Sequence, residues 1–367
     1  MRVLITGGAG FIGSHLVDRH LAEGDEVVVI DDFSTGSRAN LAHHSTDRLT
    51  VIEGRVEDRP SFDRAFEGAQ LVYHLAATVG VFEVLRRPLD ALRTNLKASE
   101  EVFERSAELG IRTVFTSTSE VYGKNDRDGL SETDDSIFGS TSVARWLYAL
   151  SKATDEFMAL AYFRERGLPI TVARLFNTTG SRQTGAYGMV APRFVRQALA
   201  GDPLIVFGDG SQTRCFTNVF DVVESLVRLG RSDAALGEVV NIGQPSEISI
   251  QALAELIRAQ VGSSSTIEHL DYNSAYGAGF EDMRRRVPDV SKLRRLTGFV
   301  PATPLATTID QIIAAIRAET AAVGPAGAAE SRGSAERSGV AGRAGSGLDG
   351  SGLGGPGLGG SELPTGR

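Results

Sequence analysis

Arg2-Val3-Leu4-Ile5-Thr6 runs directly into Gly7-Gly8-Ala9-Gly10-Phe11-Ile12-Gly13. An apolar run that ends in regularly spaced glycines and then takes up a helical pattern reads as strand, tight turn and helix in succession. Gly7 lets the chain turn, Gly10 lets the backbone approach a pyrophosphate, and Gly13 lets the helix pack close to the sheet. The helix start then offers free amides and the positive end of its dipole to phosphate groups. The stretch therefore predicts a dinucleotide site at the carboxyl edge of a parallel sheet.

Moving outward, Asp31 closes the next apolar run, 18 residues after Gly13. A carboxylate there can accept hydrogen bonds from both hydroxyls of an adenosine ribose and repels a 2′-phosphate. No arginine follows in Asp31-Asp32-Phe33-Ser34-Thr35-Gly36, so the expected cofactor is NAD rather than NADP.

Strand-like runs recur at Val3–Thr6, Glu26–Ile30, Leu49–Ile52, Leu71–Leu75, Thr113–Ser117 and Ile170–Leu175. Helical patterns at Phe11–Glu23, Pro88–Leu109 and Arg145–Arg166 separate several of them. Continuous apolar strands alternating with helices predict an α/β domain, a Rossmann-type doubly wound parallel sheet, over residues 1–177. Beyond Asn177 the pattern loosens. Residues 178–320 read mainly as a smaller, discontinuous substrate-binding lobe with segments returning to the sheet. It includes a helix at Ser249–Val261 that Ser249 can cap and a last helix at Leu305–Glu319. From Pro325 to Arg367 there are 14 glycines in 43 residues and no aromatic residue. Such a segment cannot bury enough apolar surface to offset the entropy of ordering, so a disordered tail is expected.

Composition narrows the class of protein. The 367 residues are 41% hydrophobic and 23% charged, with a formal net charge of −8. An acidic balance disfavours nucleic acid as a partner but leaves room for a local basic pocket. No apolar run reaches the roughly 20 residues of a membrane helix. Cys215 is the single cysteine, which precludes an intrachain disulfide. Together with a strand beginning at Arg2, this reads as a cytoplasmic protein with no membrane association. No Cys/His cluster has metal-ligand spacing, and His43-His44 reads as an isolated loop pair. His74, at a strand end, is expected to pack near the cofactor.

The chemistry-bearing residues lie later. Tyr148 and Lys152 are four apart on a predicted helix and share a face. A lysine ammonium, with the positive charge of a nicotinamide, can lower the phenol pKa until tyrosine serves as a base. Alone the pair carries little weight, since a core tyrosine and a surface lysine at this spacing are common. Its force comes from Thr116-Ser117-Thr118-Ser119-Glu120-Val121-Tyr122-Gly123, at the carboxyl end of a predicted strand, where open α/β sheets bind ligands. Thr118 can hold a sugar hydroxyl beside Tyr148, and Glu120 offers a carboxylate for proton transfer.

The glycine motif, Asp31, the Thr118/Glu120 segment and the Tyr148/Lys152 pair together resemble the extended short-chain dehydrogenase/reductase family. That family includes NAD-dependent nucleotide-sugar epimerases, 4,6-dehydratases and decarboxylases, and the resemblance spans roughly residues 1–320. It implies that Gly7, Gly10, Phe11, Ile12, Gly13, Asp31, Leu75, Ala76, Ala77, Tyr148 and Lys152 bind NAD. It further implies that Asn177, Arg182, Arg193, Phe207, Arg214 and Arg286 bind a nucleotide sugar, expected to be UDP-linked, and that the protein is a homodimer. Two departures are visible. Gly54-Arg55 stands where relatives often carry Gly-Asp to read the adenine, and Gly180-Ser181-Arg182 stands where many have Gly-Pro-Arg.

The resemblance leaves the reaction open among three outcomes of a common 4-keto intermediate: epimerisation at C4, loss of water, or loss of CO2 from a C6 carboxylate. Glu120 sits where simple epimerases usually have a small or hydroxyl residue. Arg145-Trp146-Leu147-Tyr148 and Arg284-Arg285-Arg286-Val287-Pro288-Asp289 resemble segments of UDP-glucuronate decarboxylases, with Arg286 at the position of an arginine proposed to help protonate C5. The expected catalytic set is Thr118, Glu120, Tyr148, Lys152 and Arg286, with UDP-glucuronate decarboxylation favoured over a 4-epimerase and a dehydratase. A silent NAD-binding regulator is the reading from another class, and the intact Thr118, Tyr148 and Lys152 oppose it.

Overall fold

Val3, Leu4 and Ile5 are all fully buried, so the first strand is covered on both faces. The structure, a computed structural model, describes residues 1–78, 87–184, 189–271, 283 and 285–321. The expected tail and Arg284 lie outside the described residues.

Strand β1 (Arg2–Thr6) leads through the glycine turn into helix α1 (Phe11–Ala22), followed by β2 (Glu26–Asp31), β3 (Leu49–Glu53), α2 (Arg59–Phe66) and β4 (Leu71–His74). Helix α3 (Pro88–Leu109), β5 (Arg112–Thr118), α4 (Leu147–Arg166) and β6 (Ile170–Leu175) complete the first half. These six strands and β7 (Val239–Ile242) form one sheet in the order β7-β6-β5-β4-β1-β2-β3. Every neighbouring pair is parallel. The chain winds outward in one direction from β1 and in the other from β4, so the strand order reverses between those two. That reversal opens a crevice at their carboxyl ends.

Alternation along β1 divides the core. Val3 and Ile5 join Leu16 and Val17 of α1 and Val222 and Leu226 of α6 (Val219–Arg231). Leu4 faces the other way, with Phe62 and Phe66 of α2, Val102 and Phe103 of α3, and Ala159 of α4.

A third cluster combines Phe194 and Val195 of α5 (Val190–Ala200), Leu253 and Ile257 of α7 (Ile250–Val261), and Ile309, Ile312 and Ile316 of the helix over 305–321. Ser249 caps α7 as expected, its hydroxyl accepting from Ala252 N at 3.1 Å. The second half of the chain does not form this lobe alone. Helix α6 packs on α1, β7 extends the sheet beside β6, and Leu293 joins the core around β1. Residues 1–321 form one compact unit. Among the described residues no helix is long and apolar enough to cross a membrane.

Candidate active site

At the β1–α1 turn the ligand-binding surface is backbone. Gly7 has a φ of +72°, and a Cβ on it would stand 2.9 Å from Ala76 N. A Cβ on Gly13 would stand 2.2 Å from Gly7 O. Neither position accepts a side chain without displacing main chain, and no side chain caps the start of α1. The exposed amides and the absence of side chains form a cradle suited to a pyrophosphate. Asp31, 8% exposed, is aimed by two backbone donors: Oδ2 accepts from Ala9 N at 2.9 Å and Oδ1 from Phe33 N at 2.8 Å. Burial pushes its carboxyl up, against those two amides. Each oxygen retains a lone pair for a ribose hydroxyl.

The far wall of the crevice is tied to the near one. Thr6 Oγ1 accepts from Leu75 N at 3.2 Å and Ala76 N at 3.1 Å, and bonds His74 Nδ1 at 2.8 Å. His74 is buried with its Nε2 3.4 Å from Ser99 Oγ, and burial pushes its pKa down to about 3. His74 thus stands in the tie between the ends of β1 and β4, directly before the cavity-lining Leu75.

A cavity of about 1040 Å³ continues from Asp31 past Leu75, Ala76 and Ala77 to Thr118, Tyr148 and Lys152, and on to Asn177, Arg193, Phe207, Arg214 and Arg286. Lys152 is 3% exposed, and its ammonium lies 4.0 Å from the centre of the Phe115 ring. Burial pushes the Tyr148 phenol up, and the carboxylates of Glu120 and Asp155 push it the same way. Positive charge brought against the phenol would oppose all three effects.

At the opposite end, charged side chains line the cavity. Glu120 follows β5 in a short 3-10 turn begun by Thr118, whose hydroxyl accepts from Glu120 N at 3.2 Å. Its Oε2 accepts from Arg145 Nη1 at 2.6 Å and its Oε1 from Arg286 Nη1 at 2.6 Å. All three side chains are nearly buried, at 15%, 5% and 6% exposure. The two guanidiniums hold the Glu120 carboxyl far below the ordinary carboxylate range, against the opposing effect of burial. Arg286 also donates to Asn177 Oδ1 at 3.1 Å, and Asn177 donates to Cys215 O at 2.8 Å. Asn177 holds a left-handed φ of 30° to do so. Further out, Arg193 lies 4.6 Å over the Phe207 ring, a flat platform suited to a base, with Arg214 on the same cavity.

The model of the NAD dependent epimerase/dehydratase family matches residues 3–243. The chain belongs to that family. UDP-N-acetyl-alpha-D-glucosaminuronate decarboxylase of Bacillus cytotoxicus is 40% identical over 82% of this chain and 92% of its own length. UDP-glucuronic acid decarboxylase 1 of Danio rerio is 35% identical over 85% of this chain and 72% of its own. Among solved structures, UDP-glucuronic acid 4-epimerase from Bacillus cereus, in complex with UDP-glucuronic acid and NAD, superposes with a TM-score of 0.78. It is 27% identical and covers 87% of this chain and 100% of its own. The chain is accordingly an NAD-dependent enzyme, and the glycine cradle and the Asp31 carboxylate have the chemistry to fit a dinucleotide.

Two expectations for this family member are revised by the geometry. Arg182 is not brought to the cavity: its Nη2 lies 2.8 Å from Asp18 Oδ2 on the outer face of α1. Its φ of 63° sends the side chain back to that helix. His43 and His44 are not isolated either, because both reach Asp18 Oδ1, at 3.1 and 2.7 Å. Those three residues bring ligand-type atoms within 4.8 Å of one another, while Arg182 already neutralises the carboxylate. In the other direction, Arg145 was not among the expected site residues. Its place three residues before Tyr148, one helical turn away, was the signal that it shares the tyrosine's surroundings. Arg55, at the departure from the usual Gly-Asp, lines the cavity and donates to Thr94 Oγ1 at 3.1 Å.

Proposed function

We propose that this enzyme decarboxylates a UDP-linked hexuronate through a 4-keto intermediate, with UDP-glucuronate to UDP-xylose as the reference reaction. The supporting observation is the buried row Arg145–Glu120–Arg286 on the cavity wall. Guanidinium donors converging on one wall of a desolvated site suit a C6 carboxylate, which accepts charge-assisted hydrogen bonds that a neutral hydroxymethyl group does not.

Bound NAD supplies the reversible oxidation at C4. Thr118 orients the C4 hydroxyl, and Tyr148 takes its proton, with Lys152 supplying positive charge beneath the phenol. In the resulting β-keto acid the C5–C6 bond breaks, CO2 leaves, and the electron pair passes towards the C4 oxygen. C5 then needs a proton. Glu120, held ionised by two arginines, does not donate it; it fixes Arg286 and any water bonded to it, and those are the donors. Asn177, Arg193, Phe207 and Arg214 hold the nucleotide diphosphate at the far end.

Incubating the NAD-loaded protein with UDP-glucuronate, its 2-acetamido analogue and UDP-glucose, followed by mass analysis, tests the reading. A product lighter by CO2 from either uronate is expected. Unchanged mass at a new retention time makes the protein a 4-epimerase. Loss of water from UDP-glucose makes it a dehydratase. We further infer a homodimer through the paired helices α3 and α4, where Phe157 is 77% exposed, in the cytoplasm. Light scattering on the wild type and on Phe157→Glu checks the dimer.

A further inference from the structure

Asp155 is completely buried one turn beyond Lys152, and the tyrosine–lysine chemistry described above does not use it. Among the described residues neither of its carboxylate oxygens has a well-formed hydrogen bond. A buried carboxylate in that condition is costly unless a nearby charge compensates. The nearest is the Lys152 ammonium, 3.5 Å from Oδ2.

We propose that Asp155 is the positioning residue of Lys152: its carboxylate holds the ammonium, still charged, beneath Tyr148 and so sets the pH window of the C4 oxidation. The inference rests on the reading of Tyr148 as the base.

The surroundings of Lys152 leave Asp155 as the partner. From β5 it meets the Phe115 ring, which attracts a cation but cannot accept its proton. From β4 comes His74, kept neutral by burial and bonded to Thr6 and Ser99. From α3 comes Ser99, bonded to His74 Nε2 at 3.4 Å, whose hydroxyl lowers the Asp155 carboxyl against burial from a looser approach. On its own helix Glu156 is committed elsewhere, accepting from Arg174 Nη2 at 2.6 Å and from the Ser117 hydroxyl. Tyr148, with Glu120 beyond it, stands on the cavity side. Burial pushes Lys152 down and Asp155 up, and each opposes the shift in the other.

The consequence has a definite sign. Replacing the Asp155 carboxylate by a neutral amide removes the negative charge that pushes Tyr148 up, so the phenol should ionise at lower pH. It also removes the support of the Lys152 charge, so the ammonium should be lost at lower pH. Both limbs of the activity profile then move towards acid together. A residue that only packed the helix would lower activity or stability without moving the limbs.

The test is the phenolate ultraviolet band of NAD-loaded protein, titrated against pH and referenced to Tyr148→Phe, alongside the pH profile of kcat. Asp155→Asn should move the Tyr148 midpoint and the alkaline limb down by about one unit. Asp155→Glu should keep both near wild type. Ser99→Ala, which leaves the carboxylate in place, should produce a smaller shift of the same sign and serves if the amide variant does not fold. Unmoved midpoints in Asp155→Asn or Ser99→Ala overturn the proposal. A Tyr148→Phe protein that shows the same titration as wild type overturns the reading of Tyr148 instead, and the two failures are distinct.

Discussion

The two ends of the cavity are built differently. At the end beside the glycine turn the lining is main chain and one carboxylate, supplied by residues 7 to 31 and pinned by backbone donors such as Ala9 N and Phe33 N. At the other end the lining is long charged side chains contributed by three separated segments, Glu120, Arg145 and Arg286. One end gains its shape from absent side chains, the other from side chains that restrain one another. A backbone cradle recognises what all members of a fold bind, whereas a side-chain clamp can be rebuilt for each substrate.

The sharpest way to separate the ends is Tyr148→Phe, which should reduce turnover by about 10²–10⁴-fold while NAD affinity stays unchanged. Calorimetry for NAD and product formation from the sugar, measured on one preparation, check it. A parallel loss of NAD binding would show that the two ends are not independent.

Gly13→Ala attacks the cradle itself. Its methyl group, fixed directly on the Cα, would stand 2.2 Å from the main-chain Gly7 O. Overpacking of this kind should cost about 1–3 kcal/mol, visible in the melting temperature and in NAD affinity together. Unaltered values would mean that the turn yields easily.

Acid should act through the tie between the crevice walls. His74 titrates near 3 in the folded protein against an ordinary value of 6.5. Between those values the unfolded chain holds a proton that the native state does not, so stability falls as pH falls. The slope from this residue should be about 1.4 kcal/mol per pH unit. The pH dependence of denaturant unfolding in His74→Asn, lower by about one proton than wild type, measures it.

Arg182→Ala should do least. A partly exposed pair with Asp18 is worth about 0.2–1 kcal/mol, and with its guanidinium away from the cavity the KM for the nucleotide sugar should stay within about twofold. A large rise in KM would show that Arg182 swings to the diphosphate.

The fold was legible because its signals are local. Six strand runs, the glycine turn and the long helices each show their period within one window of sequence, and the structure places them there. The Arg145–Glu120–Arg286 row was legible only in part. Glu120 and Arg286 could be matched to a family pattern, but their contact spans 166 positions of sequence and exists only once β5 and the segment before Ser291 meet. Arg182 shows the opposite failure. Its place in a familiar motif suggested nucleotide-sugar binding, yet a single left-handed residue redirects the side chain to Asp18. Asp155 carries no sequence signal, because a carboxylate on an amphipathic helix reads as surface until its complete burial is seen.

Thr6 gives the crevice a mechanical property. One hydroxyl gathers the amides of Leu75 and Ala76 and the ring of His74, lashing the tip of β1 to the tip of β4 where the strand order reverses. A jaw riveted at its hinge opens little, and what it grips leaves slowly. The proposed reaction returns the electrons it removes, so one dinucleotide serves every turnover and need never depart. NAD should therefore survive prolonged dialysis of the wild type, and Thr6→Ala, with the rivet drawn, should shed it.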